Sequence, residues 1–319
     1  MVYLQDRETN REIIDVNSIK PAGVDSLEIN NTVRSVDEGQ FDVFLKEMSL
    51  SPRYIRKCPV DLVNANMEYW LKELPAAFTS NLQAITDTGG NVQGWGIKTN
   101  SPYSLPELGK RLVDTYGNAN LNVHDFFPSF SGVKFSMSLG DRIITPRKTN
   151  VGDIVQIGVL YSLSDTGFGD NFVEAYFNRL VCTNGAISTE SCKKIEIESK
   201  SPQEVIEAIL GATTEALSYG DTILKPGLTQ LAETRVQPEL AIGRMIADFR
   251  LRKYSDQILA AFSQEPEEDM YGVLNAITRV ANSLEDADAQ ERLRRVGGTI
   301  TEQAMSARCQ ECFQILRRD

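Results

Sequence analysis

Residues 151–188 read VGDIVQIGVLYSLSDTGFGDNFVEAYFNRLVCTNGAIS, and their period decides the fold class. In the first half Ile154, Gln156, Gly158 and Leu160 alternate with Val155, Ile157 and Val159. In the second half Phe172, Glu174, Tyr176 and Asn178 alternate with Val173, Ala175, Phe177 and Arg179. Successive side chains of a strand point to opposite faces, so this period of two predicts two strands. SDTGFGDN between them supplies a wide loop of Gly, Asp and Asn. Just upstream, GVKFSMSL alternates in the same way at Val133, Phe135 and Met137. Three consecutive strands joined by loops predict an antiparallel meander. Asn184-Gly185 favours positive φ and is expected to turn the chain out of it.

Working outward, FTSNLQAITDTGGNVQGWGIKT places two strand-like runs around a turn signal, TDTGGN. SLPELGKRLVDTYGN predicts a short helix capped by Ser104 and stopped by Gly117. The chain up to about Asn31 predicts an irregular arm with one short strand. Phe41, Phe44, Leu45 and Met48 recur at helical spacing, Ser51-Pro52 starts a second helix, and a third follows Pro59. From Ser201 onward the pattern is helical, opened by a capping box of Ser201 and Glu204. Helices are expected over 201–219, 227–235, 237–262, 268–284 and 300–316, punctuated by Pro226, Pro238, Pro266 and Gly297-Gly298. The expected class is α+β: an antiparallel meander over about residues 78–190, flanked by an N-terminal helical segment and a C-terminal helical region. The segments are 1–75 (arm and helices), 76–200 (sheet core with one short helix) and 201–319 (helical region), or one continuous domain.

Hydrophobic residues make up 41% of the 319 and charged residues 24%, which excludes the composition of a disordered chain. No apolar run approaches the roughly 18 residues of a membrane helix. MVYLQDRETNREIIDV lacks a basic region followed by an apolar one, so a cytoplasmic protein, without membrane association, is expected. The five cysteines (Cys58, Cys182, Cys192, Cys309, Cys312) are scattered and odd in number, and neither a disulfide nor a zinc site is expected of them.

The single histidine, His124, excludes any scheme with two imidazoles, and its expected place is a loop before HDFFPSF. There is no phosphate-binding GxxxxGK[ST] loop, and neither Gly94-Trp95-Gly96 nor Gly167-Phe168-Gly169 opens a helix as a dinucleotide site requires. SQEPEEDM and SLEDADAQE read as solvated helix ends. Asp141, Asp153, Asp165 and Asp170 flank the strands and read as turn residues, with a Mg²⁺-dependent nuclease as the remote alternative. No catalytic residue, metal site or cofactor is therefore assigned.

The basic residues carry more. The net charge is −11, yet between Lys98 and Asn150 seven basic residues face four acidic ones, which leaves this stretch at +3. Those seven are Lys98, Lys110, Arg111, Lys134, Arg142, Arg147 and Lys148. Trp95, Tyr103, Tyr116, Phe126, Phe127 and Phe130 are interleaved with them. Charges that follow a phosphate backbone and aromatics that stack on bases are what single-strand binding requires. The glycines on either side of Phe168 read as serving backbone geometry, with an exposed aromatic finger at Phe168 as the alternative. Arg179 either faces a groove or pairs with a nearby Asp. A second basic cluster, Arg250-Leu251-Arg252-Lys253-Tyr254, is expected on a helix.

Gly152-Asp153, Ser164-Asp165 with Gly167, and Arg179 through Gly185 (Arg-Leu-Val-Cys-Thr-Asn-Gly) resemble the signature of the phage/plasmid-like family called domain of unknown function 932. YGVLNAITRVAN, with Asn275-Ala276-Ile277-Thr278, resembles that family's late helix. The resemblance spans roughly residues 40–285. It implies a phage, prophage or plasmid origin, and hence a host-cell cytoplasm, without implying an activity. The family's histidine after the Cys-Thr-Asn-Gly segment has no counterpart here.

The function expected from all this is single-stranded DNA binding in recombination or annealing, without covalent chemistry. The alternative is a phage structural or interaction protein that assembles with itself or binds a host protein. A homo-oligomer is expected because the meander's end strand needs a cover.

Overall fold

The structure, a computed structural model, describes residues 10–14, 18–74, 82–87, 89–97, 103–118, 120–129, 132–147, 153–164, 171–180, 184–188, 190–195 and 200–304. The expected irregular arm is more regular than its composition implies. It forms β1 (Asn10–Ile13), β2 (Ile19–Pro21), β3 (Ser26–Ile29) and β4 (Thr32–Ser35). Asn30 and Asn31 take φ of 52° and 59° and close the β3–β4 hairpin. Asparagine tolerates this left-handed backbone, and two such residues in a row suit the twist of a tight hairpin. Helices α1 (Glu38–Glu47), α2 (Pro52–Ile55) and α3 (Val60–Lys72) follow as expected. α1 begins where the Asp37 carboxylate accepts the Gln40 N–H at 3.1 Å.

The two runs around TDTGGN are β5 (Leu82–Thr86) and β6 (Val92–Ile97). They do not extend the meander. They pair with each other and with β1 in a separate sheet of order β1-β5-β6, while β2, β3 and β4 form another. One buried apolar cluster is built entirely from residues between Ile14 and Trp95. At its centre Phe44 stacks on Trp95 at 4.5 Å, and the indole N–H reaches the Gln40 carbonyl at 3.2 Å.

A second cluster runs from Tyr103 to Ala304. It begins with α4 (Leu105–Tyr116), whose N-cap is Ser104 and whose C-cap is Gly117 at φ 81°, as the sequence predicts. Then come β7 (Leu121–Ser129), β8 (Gly132–Ile144), β9 (Val155–Leu163), β10 (Asn171–Arg179), β11 (Asn184–Ile187) and β12 (Lys193–Ile195). Their antiparallel order is β11-β10-β9-β8-β7, with β12 pairing β10. The three predicted strands are β8, β9 and β10, and one face of β9 (Val155, Ile157, Val159, Tyr161, Leu163) enters the core.

Several expectations change around this sheet. His124 lies in strand β7, not in a loop. Asn184-Gly185 opens β11 and pairs with Asn178 and Arg179, so it does not turn the chain out of the sheet. Gly185 serves close approach instead: a Cβ there would stand 2.3 Å from the Tyr176 hydroxyl. The edge strand β7 carries a register shift between His124 and Phe127 and contains Pro128. A bulge and a residue without an N–H both discourage a further strand, so this end of the meander is blunted.

The C-terminal helices are α5 (Pro202–Tyr219), a π turn (Gly220–Leu224), α6 (Lys225–Glu233), α7 (Pro238–Asp248), one 3₁₀ turn (Arg252–Tyr254), α8 (Ser255–Gln264), α9 (Met270–Ser283) and α10 (Ala287–Gln303). The helix expected over 237–262 is two. α7 stops because Arg250 adopts φ 55°, the Leu251 N–H bonds the Ile246 carbonyl at 2.8 Å, and the Arg250 N–H bonds Ala247 at 3.3 Å. This is the Schellman ending, in which a left-handed residue lets the chain satisfy its last carbonyls.

The helix expected to begin at 300 begins at Ala287, so Gly297-Gly298 lies inside it rather than before it; of the expected range, 305–316 lie outside the described residues. The pair is a contact surface. A Cβ on Gly298 would come within 1.9 Å of the Ile187 carbonyl oxygen, so its absence lets α10 press on β11. Sheet and C-terminal helices share one core, so residue 200 marks a change of secondary structure and not of core.

Candidate nucleic-acid interface

The sequence nominates the stretch from Lys98 to Lys148, and the fold brings acids to it from far along the chain. Arg111 pairs with Glu207 on α5, Lys134 with Glu291 on α10, and Arg142 with Asp221 in the π turn. The Arg142 guanidinium also donates to the Leu217 carbonyl at 3.3 Å. Lys110 is exposed on α4. Lys98, Lys148 and Phe168 lie outside the described residues. The surplus of +3 is thus met by carboxylates that a linear window cannot see. The aromatics are committed too. Trp95 and Tyr103 are buried, the latter donating to Asn171 at 2.8 Å, and Tyr116 packs half-buried against the core. Phe130 lies outside the described residues, and of Phe126 and Phe127 only their place in β7 is described.

Arg147 and Arg179, expected among the surface cations, are buried at 7% and 3% exposure. They organise a charge cluster at one end of the sheet. Arg179 donates to Asp153 at 2.6 Å and, through both terminal nitrogens, to Glu265 at 3.0 and 2.6 Å. Arg147 grips Asp269 at 2.9 and 2.7 Å. Tyr271 donates to Asp153 at 3.2 Å, and the Arg147 guanidinium lies 4.9 Å from its ring centre. Burial opposes the charge on each arginine, but the facing carboxylates overcome it and raise both pKa values. The hydrogen bond from Arg179 holds Glu265 below the usual carboxylate range.

Glu265, Glu267 and Asp269 come from SQEPEEDM, which reads as a solvated helix end. One local signal for Asp269 was available: it caps α9, accepting the Gly272 N–H at 2.8 Å. Arg179 therefore takes the structural one of its two alternatives, and Asp153 is an ion-pair partner rather than a turn residue.

Another group of cations lies elsewhere among the described residues. Arg250, Arg252 and Lys253 are exposed between α7 and α8, the last two in the 3₁₀ turn and Arg250 in the bend before it. Arg292, from the first half of α10, joins them: its guanidinium donates to the carbonyls of Phe249 and Arg250 at 3.3 and 3.4 Å. Among the described residues none of these four cations has a carboxylate partner. Asp248 is held by Arg244 at 3.0 Å and Glu291 by Arg295 at 2.8 Å. From this corner Arg292 leads, with Glu291, Arg295, Val296 and Thr299, into an open cleft of about 390 Å³. Arg292 had no signal in the sequence beyond its charge, because only the fold brings α10 to the α7–α8 bend.

Chemically the corner can hold anionic oxygens. Arginine forks match phosphate geometry and remain protonated at any physiological pH. Among the described residues no group of three or more His, Cys, Asp or Glu side chains could hold a metal ion. No helix there is long and apolar enough to cross a membrane. Cys192 is exposed, and burial of its sulfur together with the nearby Glu174 pushes its pKa up to about 11, away from reactivity. Cys182, Cys309 and Cys312 lie outside the described residues. No family model, curated protein or solved structure matches this chain.

Proposed function

We propose that this protein binds nucleic acid without covalent chemistry, gripping backbone phosphates with Arg250, Arg252, Lys253 and Arg292. The observation that carries the reading is the convergence of four cations without carboxylate partners at one corner of an acidic chain. Backbone neutralisation supplies most of the affinity of sequence-tolerant binders. The partner is the class anticipated from sequence, through a different surface. A role in phage or plasmid recombination is part of this proposal, as is kinship with the domain of unknown function 932 family. In its support, the two segments that resemble that family meet in one cluster, through Asp153, Arg179 and Tyr271.

The test is fluorescence anisotropy with a labelled single strand and a labelled duplex at about 50 mM salt. Four phosphate contacts on a single strand give a log–log salt slope on the order of −3. Replacing the four cations together by Ala is expected to abolish binding, with Arg142→Ala as the unaffected control. No binding by the unaltered protein at tens of micromolar, or full binding by the fourfold variant, overturns the reading. One observation favours the interaction-protein alternative: Leu62 and Tyr69 on α3, with Tyr54 beside them, are exposed large hydrophobics. A solution mass well above 35.5 kDa together with absent DNA binding would promote it.

A further inference from the structure

Helix α3 buries one apolar face and exposes another. Val63, Met67 and Leu71, at i, i+4 and i+8, enter the cluster between Ile14 and Trp95. On the opposite side Leu62, Ala65 and Tyr69 follow at i, i+3 and i+7 and form a second stripe. Leu62 is 44% exposed and Tyr69 60%. Tyr54, from α2, widens the stripe: it is 48% exposed, and its hydroxyl faces the Asn66 side chain. Asn66 in turn donates to the Leu62 carbonyl at 2.7 Å. The Tyr69 ring meets Trp70 edge to face at 5.4 Å, so it is held in place on the surface.

The two ends of this stripe carry opposite charge. Arg53 and Lys57 precede α3 and, with Asp61 in its first turn, leave that end at +1. Glu68 and Glu73, with Lys72, leave the other end at −1. All six are exposed, and among the described residues none of them is in an ion pair. A strip that is apolar in the middle and opposite in sign at its ends complements a copy of itself turned end for end. In a two-fold contact residue i meets j while j meets i. The antiparallel arrangement also sets the positive end of each helix dipole beside the negative end of the other. We propose that this face of α3 is a homodimer contact, in which two copies pair antiparallel across Ala65, with Leu62 against Tyr69 and Lys57 against Glu73. The small Ala65 lets the two helix axes approach. Thirteen residues make a helix about 20 Å long, a face smaller than the roughly 800 Å² per partner of a standard interface, so the dimer is of the weak, reversible class. The self-association expected of a bare sheet end thus moves to a helix face. It uses none of the residues of the α7–α8 corner and does not rest on the reading given to that corner.

Sedimentation equilibrium of the full chain from about 1 to 200 µM tests the contact. The mass is expected to rise from 35.5 kDa toward twice that value, with a Kd on the order of tens of micromolar. Leu62→Gln with Tyr69→Gln should weaken the dimer about tenfold or more. Its circular dichroism should be unchanged, because both side chains are exposed and glutamine is a good helix former. Lys57→Glu sets like charges against each other across the contact and should weaken it roughly threefold or more. Lys57→Glu combined with Glu73→Lys restores opposite charges and should restore the dimer. The fourfold variant of the α7–α8 corner should dimerise as the unaltered protein does, and the Leu62/Tyr69 variant should still bind a labelled strand, so the two readings fail separately. A mass of 35.5 kDa throughout, an undiminished dimer in the Leu62/Tyr69 variant, or a double charge reversal no better than the single one each overturns the proposal.

Discussion

Arg250 sits at φ 55° at the end of α7, a position where glycine is the usual occupant. The left-handed backbone costs an L-residue about 1–2 kcal/mol. Glycine removes that cost but gives back about 0.5–1 kcal/mol through its greater freedom in the unfolded chain. The Arg250 side chain is exposed and without a carboxylate partner, so its loss adds little. Arg250→Gly should therefore stabilise the protein by about 0.5–1 kcal/mol, which for a unit of some 200 residues is a rise of about 1–4 °C in Tm. The same change removes one phosphate contact and should flatten the salt slope of DNA binding by about 0.7 for a single strand. Arg250→Ala separates the two effects, since alanine loses the charge and keeps the strain. Thermal unfolding followed by circular dichroism, paired with anisotropy, reads both quantities. Equal binding by the two variants with glycine the more stable is the expected pattern. Equal stability would refute the strain argument, and full binding by either would remove Arg250 from the interface. Ser49 ends α1 with the same geometry, at φ 58°, so the motif itself is structural; an arginine in it is what asks for a functional reason.

Two further outcomes follow from the buried charges. Asp269→Ala leaves the Arg147 guanidinium buried without its bidentate partner and should destabilise by about 3–5 kcal/mol, measured by urea unfolding. Glu265 and Glu291 are both depressed below the ordinary 4.5: Glu265 by the hydrogen bond from Arg179, and Glu291 by Lys134 and Arg295, which outweigh its burial. A depressed carboxylate contributes stability above its unfolded pKa and loses it as pH falls through the folded one. Tm should accordingly be flat from neutrality to about pH 4.5 and drop below it, and Glu265→Gln should shrink that drop.

What was legible in the sequence was local. The period of two in residues 154–160 and 172–178 located β9 and β10, and Ser104, Gly117 and the Ser201–Glu204 box located helix ends, because each is decided by neighbours within a few residues. What was not legible depends on partners far away. Asp269 and Arg147 are 122 residues apart, and Glu291 and Lys134 are 157 apart, so a positive window gave no hint that carboxylates would cover it. Gly297-Gly298 looked like punctuation because closeness to Ile187 cannot be read from a string. The Arg250–Lys253 run was visible as charge, but its fourth member, Arg292, arrives only through the packing of α10.

That packing also sets a timetable. Ser188 at the end of β11 bonds Glu302, and Gly298 abuts Ile187, so the last described helix is what closes that flank of the sheet. During synthesis the strands emerge more than a hundred residues before their cover. The cluster between Ile14 and Trp95 can meanwhile assemble from residues already made. The interval after it leaves a bare row of backbone donors and acceptors open to other nascent chains. A product ending before residue 287 would stay in that unguarded condition, and its characteristic failure would be intermolecular strand pairing rather than simple loss of binding.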